Sequence, residues 1–247
     1  MMNHVLMLAA LTLAPQDSGA PAVQNPCVTC HEQQPAPAAP GHSFADWKAS
    51  AHGAVTCDRC HDGDTTATEQ EAAHRNVHPS QDRRSRVFAK QIPATCGTCH
   101  QQELGYFMES QHYTQLETAQ RGPSCVTCHG AMATHVLAPE DLDAACSPCH
   151  APVEGAPPPV LAASRRLLGL TRQTDSLVRS AQSRLDQPVE QRRRDAARRQ
   201  LRLAQDALQR SRQGWHAFDL ALLDSALTQG VRSARRADSI LTARPRR

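Results

Sequence analysis

The sequence predicts a mainly α-helical protein with large irregular content, in which a cysteine-rich part precedes a C-terminal helical hairpin or three-helix bundle. All ten cysteines of the 247-residue chain lie between Cys27 and Cys149. Beyond them, leucine and alanine recur at the three- and four-residue spacing of amphipathic helices. We therefore expect one domain at 23–156 and an Arg-rich helical domain at 157–247, preceded by a segment at 1–22.

The segment at 1–22 resembles a secretory signal peptide. An apolar run from Val5 to Leu13 is followed by small residues near Ala20 and Ala22, as at a cleavage site. The flank before the run has no Lys or Arg, so an N-terminal tag of the mature chain is the alternative. The run is shorter than the ~20 residues that span a bilayer. We expect export, and no transmembrane span in the chain.

The cysteine-rich part lacks the side chains of an ordinary core. Aromatic residues make up 3% of the chain, and residues 21–159 contain little Leu, Ile or Phe. So few apolar side chains do not offset the conformational entropy that is lost on ordering. Something other than side chains must supply an interior.

Charge divides the chain at the same place. Residues 1–159 contain 8 Lys and Arg against 16 Asp and Glu, whereas residues 160–247 contain 19 Arg against 8 Asp and Glu. These are two electrostatic units. A basic tail suggests nucleic acid or anionic lipid. Because the Arg residues are spread around helices with apolar spacing, we favour a solvated helical surface, or one docked on the acidic part.

Every cysteine belongs to one pattern, in which two cysteines three positions apart are followed directly by histidine. Two such thiols reach the two vinyl groups of one porphyrin, and the next residue is then placed under the ring as an axial iron ligand. This is the signature of c-type haem attachment. The five copies are Cys27, Cys30, His31; Cys57, Cys60, His61; Cys96, Cys99, His100; Cys125, Cys128, His129; and Cys146, Cys149, His150.

Three other chemistries use paired cysteines, namely a redox dithiol, a structural zinc site and a disulfide framework. None of them requires histidine directly after the second cysteine. Histidine follows in all five copies, although only 13 of the 247 residues are histidine. We therefore predict five haem c groups, each with iron. Such groups are attached outside the cytoplasm, and five of them would supply the missing interior.

A low-spin haem needs a second strong axial ligand, and an internal repeat indicates four of them. Aromatic residues and a Ser-x-His sequence precede the second motif and the fourth, and a histidine follows each motif. The aromatic–Ser–His segment has helical spacing, which would place Phe107 and Ser110 with His112 near one haem. The predicted distal ligands from the repeat are His52, His112, His78 and His135.

Three further histidines are candidates for the axial-ligand position that the repeat does not account for. His42 precedes Phe44 and therefore lies near apolar surface, so we include it among the candidate ligands. His216 lies four residues before Leu220 on an apolar stripe. The sequence allows it either a packing role or iron ligation, and we include it among the candidate ligands. His74 lies in a polar loop, where a histidine usually faces solvent, and it is not included.

The repeat Ser-x-His, Cys-x-x-Cys-His-Gly, His resembles bacterial multihaem c-type cytochromes, a group that includes small electron-transfer cytochromes and relatives of nitrite reductase and hydroxylamine oxidoreductase. The resemblance covers about residues 27–150. It implies stacked bis-histidine haems that form an electron wire. The segment from Trp215 to Phe218 is also similar to a C-terminal helix of the nitrite reductase relatives, where a histidine reaches back to a haem. Those reductases typically carry Cys-x-x-Cys-Lys, which is absent here, and this argues against nitrite reduction.

Residues 160 to about 243 predict three helices, which would pack on one another or on the haem-bearing part. Pro188 separates the first from the second, and Gly214 the second from the third. The predicted apolar stripes are Leu161, Leu168, Leu177 and Leu185 in the first helix, Leu201, Ala204 and Leu208 in the second, and Leu220, Leu223, Leu227, Val231 and Ala234 in the third.

The leading functional hypothesis is an electron carrier of an anaerobic respiratory chain in the periplasm or another extracytoplasmic space. Its acidic part predicts charge-steered contact with redox partner proteins, and peripheral association with a membrane or a membrane complex stays open. We predict no nucleic-acid partner. The alternative is an oxidoreductase with one open-site haem that acts on a small nitrogen or sulfur compound. A haem-bearing sensor or scaffold is a third hypothesis.

Overall fold

The computed structural model describes residues 25–32, 43–136, 141–150 and 160–243. Within these ranges the chain forms twelve helices joined by turns and loops, with no β-strand. The predicted mainly α class is therefore confirmed. The expected signal peptide and His42 lie outside the described residues.

The cysteine-rich part is built from short helices and has a very small side-chain core. Its buried large apolar side chains, among the residues described, are Ile92, Phe107 and Leu116. This agrees with the shortage of apolar residues in the sequence. The helices are α1 (Pro26–His31), α2 (Phe44–Ala49), α3 (Asp58–His61), α4 (Gln70–Ala73), α5 (Ile92–Gly97), α6 (Gln101–Met108), α7 (Gln111–Ala119), α8 (Cys125–His129) and α9 (Leu142–His150).

The two copies of the internal repeat both interrupt the helix at serine. Ser50 ends α2, where its Oγ donates to the Trp47 carbonyl at 2.8 Å and accepts the His52 N–H at 3.1 Å. Ser110 instead begins α7 by accepting the Tyr113 N–H at 3.0 Å. The expectation of one helical aromatic–Ser–His segment was therefore wrong, because serine caps compete with helix continuation.

The C-terminal part is a three-helix bundle of α10 (Val160–Leu185), α11 (Gln191–Ala217) and α12 (Leu220–Thr242). The predicted stripes of the second and third helices lie in its core. In α10 the buried face differs from the prediction, since Leu161 and Leu168 are only half-buried. The buried side chains of α10 are Ser164, Leu167, Thr174, Val178 and Ala181.

Gly214 does not separate α11 from α12, as the sequence had suggested, because α11 continues to Ala217. A Cβ atom on Gly214 would lie 2.7 Å from Leu223 Cγ, so this glycine allows the two helices to pack closely. The turn comes at Phe218, whose φ of +57° is left-handed. Asp219 then caps α12 by accepting the Leu222 N–H at 2.9 Å.

The bundle packs against the cysteine-rich part. Helix α11 contacts α6, and α10 contacts α9. Within the bundle, ion pairs join α10 to α12, with Arg166 2.9 Å from Asp224 and Arg184 2.9 Å from Asp238. None of the described helices combines the length and the apolar character needed to cross a membrane.

Candidate haem sites

Each Cys-x-x-Cys-His motif occupies a helical turn. Helices α1, α3, α8 and α9 end at the motif histidine, and α5 leads into the third motif, where the His100 N–H donates to the Cys96 carbonyl at 2.9 Å. Positions three and four apart share a helix face, so the two thiols and the imidazole of a motif lie on one side. None of the ten cysteines forms a disulfide bond. This arrangement suits attachment of one planar group at two points.

Four motif histidines lie opposite a second histidine from another part of the chain. The partners are separated from them by as few as 38 and as many as 87 positions in sequence, so the pairs are tertiary contacts. The ring centroids are 6.0 Å apart for His31 and His74, 6.0 Å for His100 and His52, 5.9 Å for His150 and His112, and 6.2 Å for His129 and His216.

This spacing suits two axial ligands of one iron. A bond between a metal ion and an imidazole nitrogen is about 2 Å long, and that nitrogen lies about 1.1 Å from the centroid of its ring. Two imidazoles on opposite sides of one iron therefore have centroids about 6 Å apart. Aromatic rings that merely pack together have centroids roughly 4.5–7 Å apart, whereas the centroid distances of the four pairs differ by only 0.3 Å. The residues present fit a bis-histidine haem.

The hydrogen bonds of four of these rings are made through Nδ1. A ring whose Nδ1–H donates to a carbonyl presents the Nε2 lone pair, which is the form that binds a metal. The carbonyl partners are Gln70 O for His74 at 2.8 Å, His135 O for His129 at 2.9 Å and Arg212 O for His216 at 2.8 Å, and the Thr134 hydroxyl lies 3.0 Å from Nδ1 of His52.

His112 is held differently. Its Nδ1 is buried without a hydrogen-bond partner in the described part of the chain. Burial lowers the pKa of this imidazole, and the neighbouring His150 lowers it further. Both effects keep the ring neutral, which is the iron-binding form.

The histidine of each Ser-x-His sequence lies beside the second motif that follows it in the sequence, not the first. His52 precedes the second motif and lies beside His100 of the third, and His112 precedes the fourth motif and lies beside His150 of the fifth. The paired imidazoles therefore bring different segments of the cysteine-rich part into contact.

His74 is the residue that sequence reasoning missed, since it lies 6.0 Å from His31. Its position in a polar loop suggested a solvent-facing side chain. Helix α4 directly precedes it, and Gln70, four positions earlier, supplies the carbonyl that holds Nδ1. A histidine that caps a short helix in this way was the available signal.

Two histidines predicted from the repeat lie outside the four ring pairs. Nδ1 of His78 lies 3.9 Å from a carboxylate oxygen of Asp82. Nδ1 of His135 lies 3.1 Å from the carbonyl of Ala133, and the backbone of His135 rather than its ring meets His129. Together with His42, they stay predicted ligands.

Successive motifs are neighbours in space as well as in sequence. Burial raises the pKa of Cys57 and Cys60, and it raises the pKa of Cys128 to about 11; a neighbouring thiol adds to each of these shifts. Cys27 lies beside Cys57, Cys96 lies beside Cys60, and Cys146 lies beside Cys128. In addition, Cys125 is hydrogen-bonded to Cys96. The attachment points thus follow one another from the first motif to the fifth.

Among the residues described, no three His, Cys, Asp or Glu side chains converge to hold a metal ion on their own. A haem iron takes its equatorial ligands from the porphyrin and needs only two axial ligands, so histidine pairs are the arrangement to compare with a haem site. No protein-family model, no curated protein and no solved structure matches the chain. The motifs and the geometry of this chain are therefore what a functional assignment depends on.

Proposed function

We propose that the chain is an exported multihaem c-type cytochrome that carries electrons through five covalently bound haems. The observation that carries the proposal is the set of four imidazole pairs, each of which joins a motif histidine to a distant one at about the same spacing. An iron with two histidine ligands has no open position for a substrate, so the pairs favour electron transfer over catalysis.

The side chains of the chain have separate roles in this proposal. The ten motif cysteines would hold the porphyrins as thioethers, and the paired histidines would hold the irons. The haems supply the reversible one-electron change that defines a cytochrome. Carbonyls that accept from Nδ1 keep the imidazoles oriented and increase their basicity, which favours the ferric state. Such sites should have low reduction potentials.

The neighbouring motifs suggest the route. Since each motif lies beside the next, we infer that electrons pass between groups attached to consecutive motifs, with the first and fifth motifs at the ends of the series. The donor and the acceptor would be redox proteins of a respiratory chain, and the excess of acidic residues in 1–159 favours partners with basic surfaces. The proposed location is the periplasm or an equivalent extracytoplasmic space.

The proposal is tested by producing the chain in a periplasm with a haem-attachment system. We expect a mass that exceeds the polypeptide by five haems, a Soret band, and low-spin ferric signals in electron paramagnetic resonance (EPR). A matched variant, Cys27→Ala with Cys30→Ala, should lose one haem and retain four. A protein with the polypeptide mass alone would refute the proposal, and a stoichiometric high-spin signal would favour the oxidoreductase alternative.

A further inference from the structure

We propose that Phe218, in the turn between α11 and α12, is a positioning residue that fixes the orientation of the His112 imidazole. This inference rests on the proposed function, in which His112 and His150 are the axial ligands of the haem on the fifth motif. It adds a residue outside the haem-attachment motifs and the Ser-x-His repeat, and it assigns the helical bundle a part in the proposed electron-transfer sites.

The contact is close and directional. The Phe218 ring meets the His112 ring edge to face, with centroids 4.1 Å apart and planes 89° apart. The centroid of the same imidazole lies 5.9 Å from that of His150. The His112 ring is therefore near both its motif partner and an aromatic ring of the bundle, and the contact with Phe218 restricts the orientations that the imidazole can adopt.

The contact takes the place of a hydrogen bond. His52, His74, His129 and His216 each have Nδ1 within 3.0 Å of a hydrogen-bonding oxygen, whereas the buried Nδ1 of His112 has no such partner among the described residues. A ligand imidazole needs some fixed neighbour to set the plane of its ring. At His112, the neighbour that the structure provides is Phe218.

The backbone at Phe218 supports a role for its side chain. Phe218 adopts φ +57° and ψ +34° at the end of α11, where glycine or asparagine is favoured because larger residues are strained. Phe218 is 39% exposed, so its side chain is not part of the buried core of the bundle. The contact with His112 gives a reason for an aromatic residue at this strained position.

The same turn reaches two sites. His216, two residues before Phe218, faces His129 of the fourth motif at 6.2 Å. The end of α11 thus contributes a candidate ligand to one site and a packing contact to the ligand of the next. Movement of this turn would alter both sites together.

The test compares Phe218→Gly, Phe218→Leu and Phe218→Tyr in the haem-loaded full chain. Glycine suits the left-handed backbone and removes the ring, leucine keeps apolar bulk without a flat face, and tyrosine keeps the ring. Leu203→Ala is the matched control, because Leu203 is an apolar side chain of α11 with similar exposure, 41%. The readouts are EPR g-values, potentiometry, carbon monoxide binding to the reduced protein, and thermal unfolding.

We expect the Gly and Leu variants to keep five haems and the bundle, while one low-spin signal shifts its g-values and one haem changes its potential and gains carbon monoxide binding. Tyr and the Leu203 control should match the parent. Parent-like g-values and potentials in Phe218→Gly would overturn the inference. The variant His112→Ala tests the ligand role of His112 separately from the positioning role of Phe218. If His112→Ala leaves every haem low-spin, the assignment of His112 as a ligand fails, and the proposal for Phe218 fails with it.

Discussion

At the residue scale, the imidazole pairs are not equivalent. The planes of His129 and His216 are 21° apart, whereas those of the other three pairs differ by 52° to 68°. The relative orientation of two axial imidazoles affects the electronic structure of a low-spin iron, so we expect the fourth-motif site to be spectroscopically distinct. If the chain binds the five proposed haems, this difference makes an individual site traceable in variants.

Replacing His216 by alanine should remove one axial ligand without loss of a haem, because the thioethers stay. We expect one of five ferric haems to become high-spin, its potential to rise, and one equivalent of carbon monoxide to bind on reduction. EPR and carbon monoxide difference spectra measure this. Arg212→Ala is the control, since the Arg212 backbone carbonyl that holds Nδ1 is retained. Five unchanged low-spin haems in His216→Ala would reject the ligand assignment.

The partner of His61 is a second residue-scale question that variants can answer. His42, His78 and His135 are the predicted ligands outside the four pairs, and under the proposed function we expect one of them to be the distal ligand at the second motif. Of three single alanine variants, we expect one to convert a single haem to high-spin and the other two to leave five low-spin haems. The same measurement as for His216 applies. If all three variants keep five low-spin haems, none of these histidines is a required ligand.

At the element scale, the bundle depends on small residues where its helices approach. A Cβ at Gly214 would meet Leu223 Cγ at 2.7 Å, and a Cβ at Gly230 would meet Thr174 Cγ2 at 2.9 Å. At Gly169, by contrast, a Cβ would meet no atom within 4 Å. The two environments provide a matched pair of substitutions.

Gly214→Ala should destabilise the bundle by about 1–3 kcal/mol, because the added methyl group overpacks the contact between α11 and α12. Gly169→Ala should stabilise it by roughly 0.5–1 kcal/mol, since alanine favours an exposed helix interior. Urea unfolding followed by circular dichroism measures both. Equal effects of the two substitutions would contradict the close packing at Gly214.

The ion pair between α10 and α12 predicts a pH dependence. The hydrogen bond from Arg166 lowers the pKa of Asp224, so its contribution to stability is present above the ordinary aspartate value of about 3.9 and disappears as pH falls through the lower folded value. Asp224→Asn should therefore lower the melting temperature slightly at pH 7, and the difference should vanish in acid. Asp206→Asn, at an exposed position of α11, is the control. A difference that persists in acid would exclude the carboxylate as its cause.

At the scale of the whole molecule, the two parts have different kinds of interior. The bundle buries two clusters of leucine, valine and alanine side chains, one that includes Leu201 and one that includes Leu223 and Leu227. The described residues of the cysteine-rich part bury few large apolar side chains, so under the proposed function we expect its order to depend on haem groups attached to its cysteines. Folding of the two parts should therefore respond differently to haem.

A chain made without haem, for example with all ten cysteines replaced by alanine, should keep the bundle and lose order in the cysteine-rich part. Hydrogen exchange should find amides of α10–α12 protected and those of residues 43–136 largely unprotected, because only a few buried apolar side chains hold them. The haem-loaded chain, compared under the same conditions, should protect both parts. Equal protection of residues 43–136 with and without haem would contradict a haem-dependent interior.

The sequence by itself determined what depends on neighbours along the chain. The motif histidines follow from a five-residue pattern, the helical class of 160–243 follows from apolar spacing, and the shortage of a core follows from composition. The tertiary structure alone decided which distant histidine meets four of the motifs, including His74 beside His31 and His52 beside the third motif rather than the second. It also decided that Phe218 contacts His112. Such pairs join residues tens of positions apart, and their meeting depends on how helices pack, which local spacing does not encode.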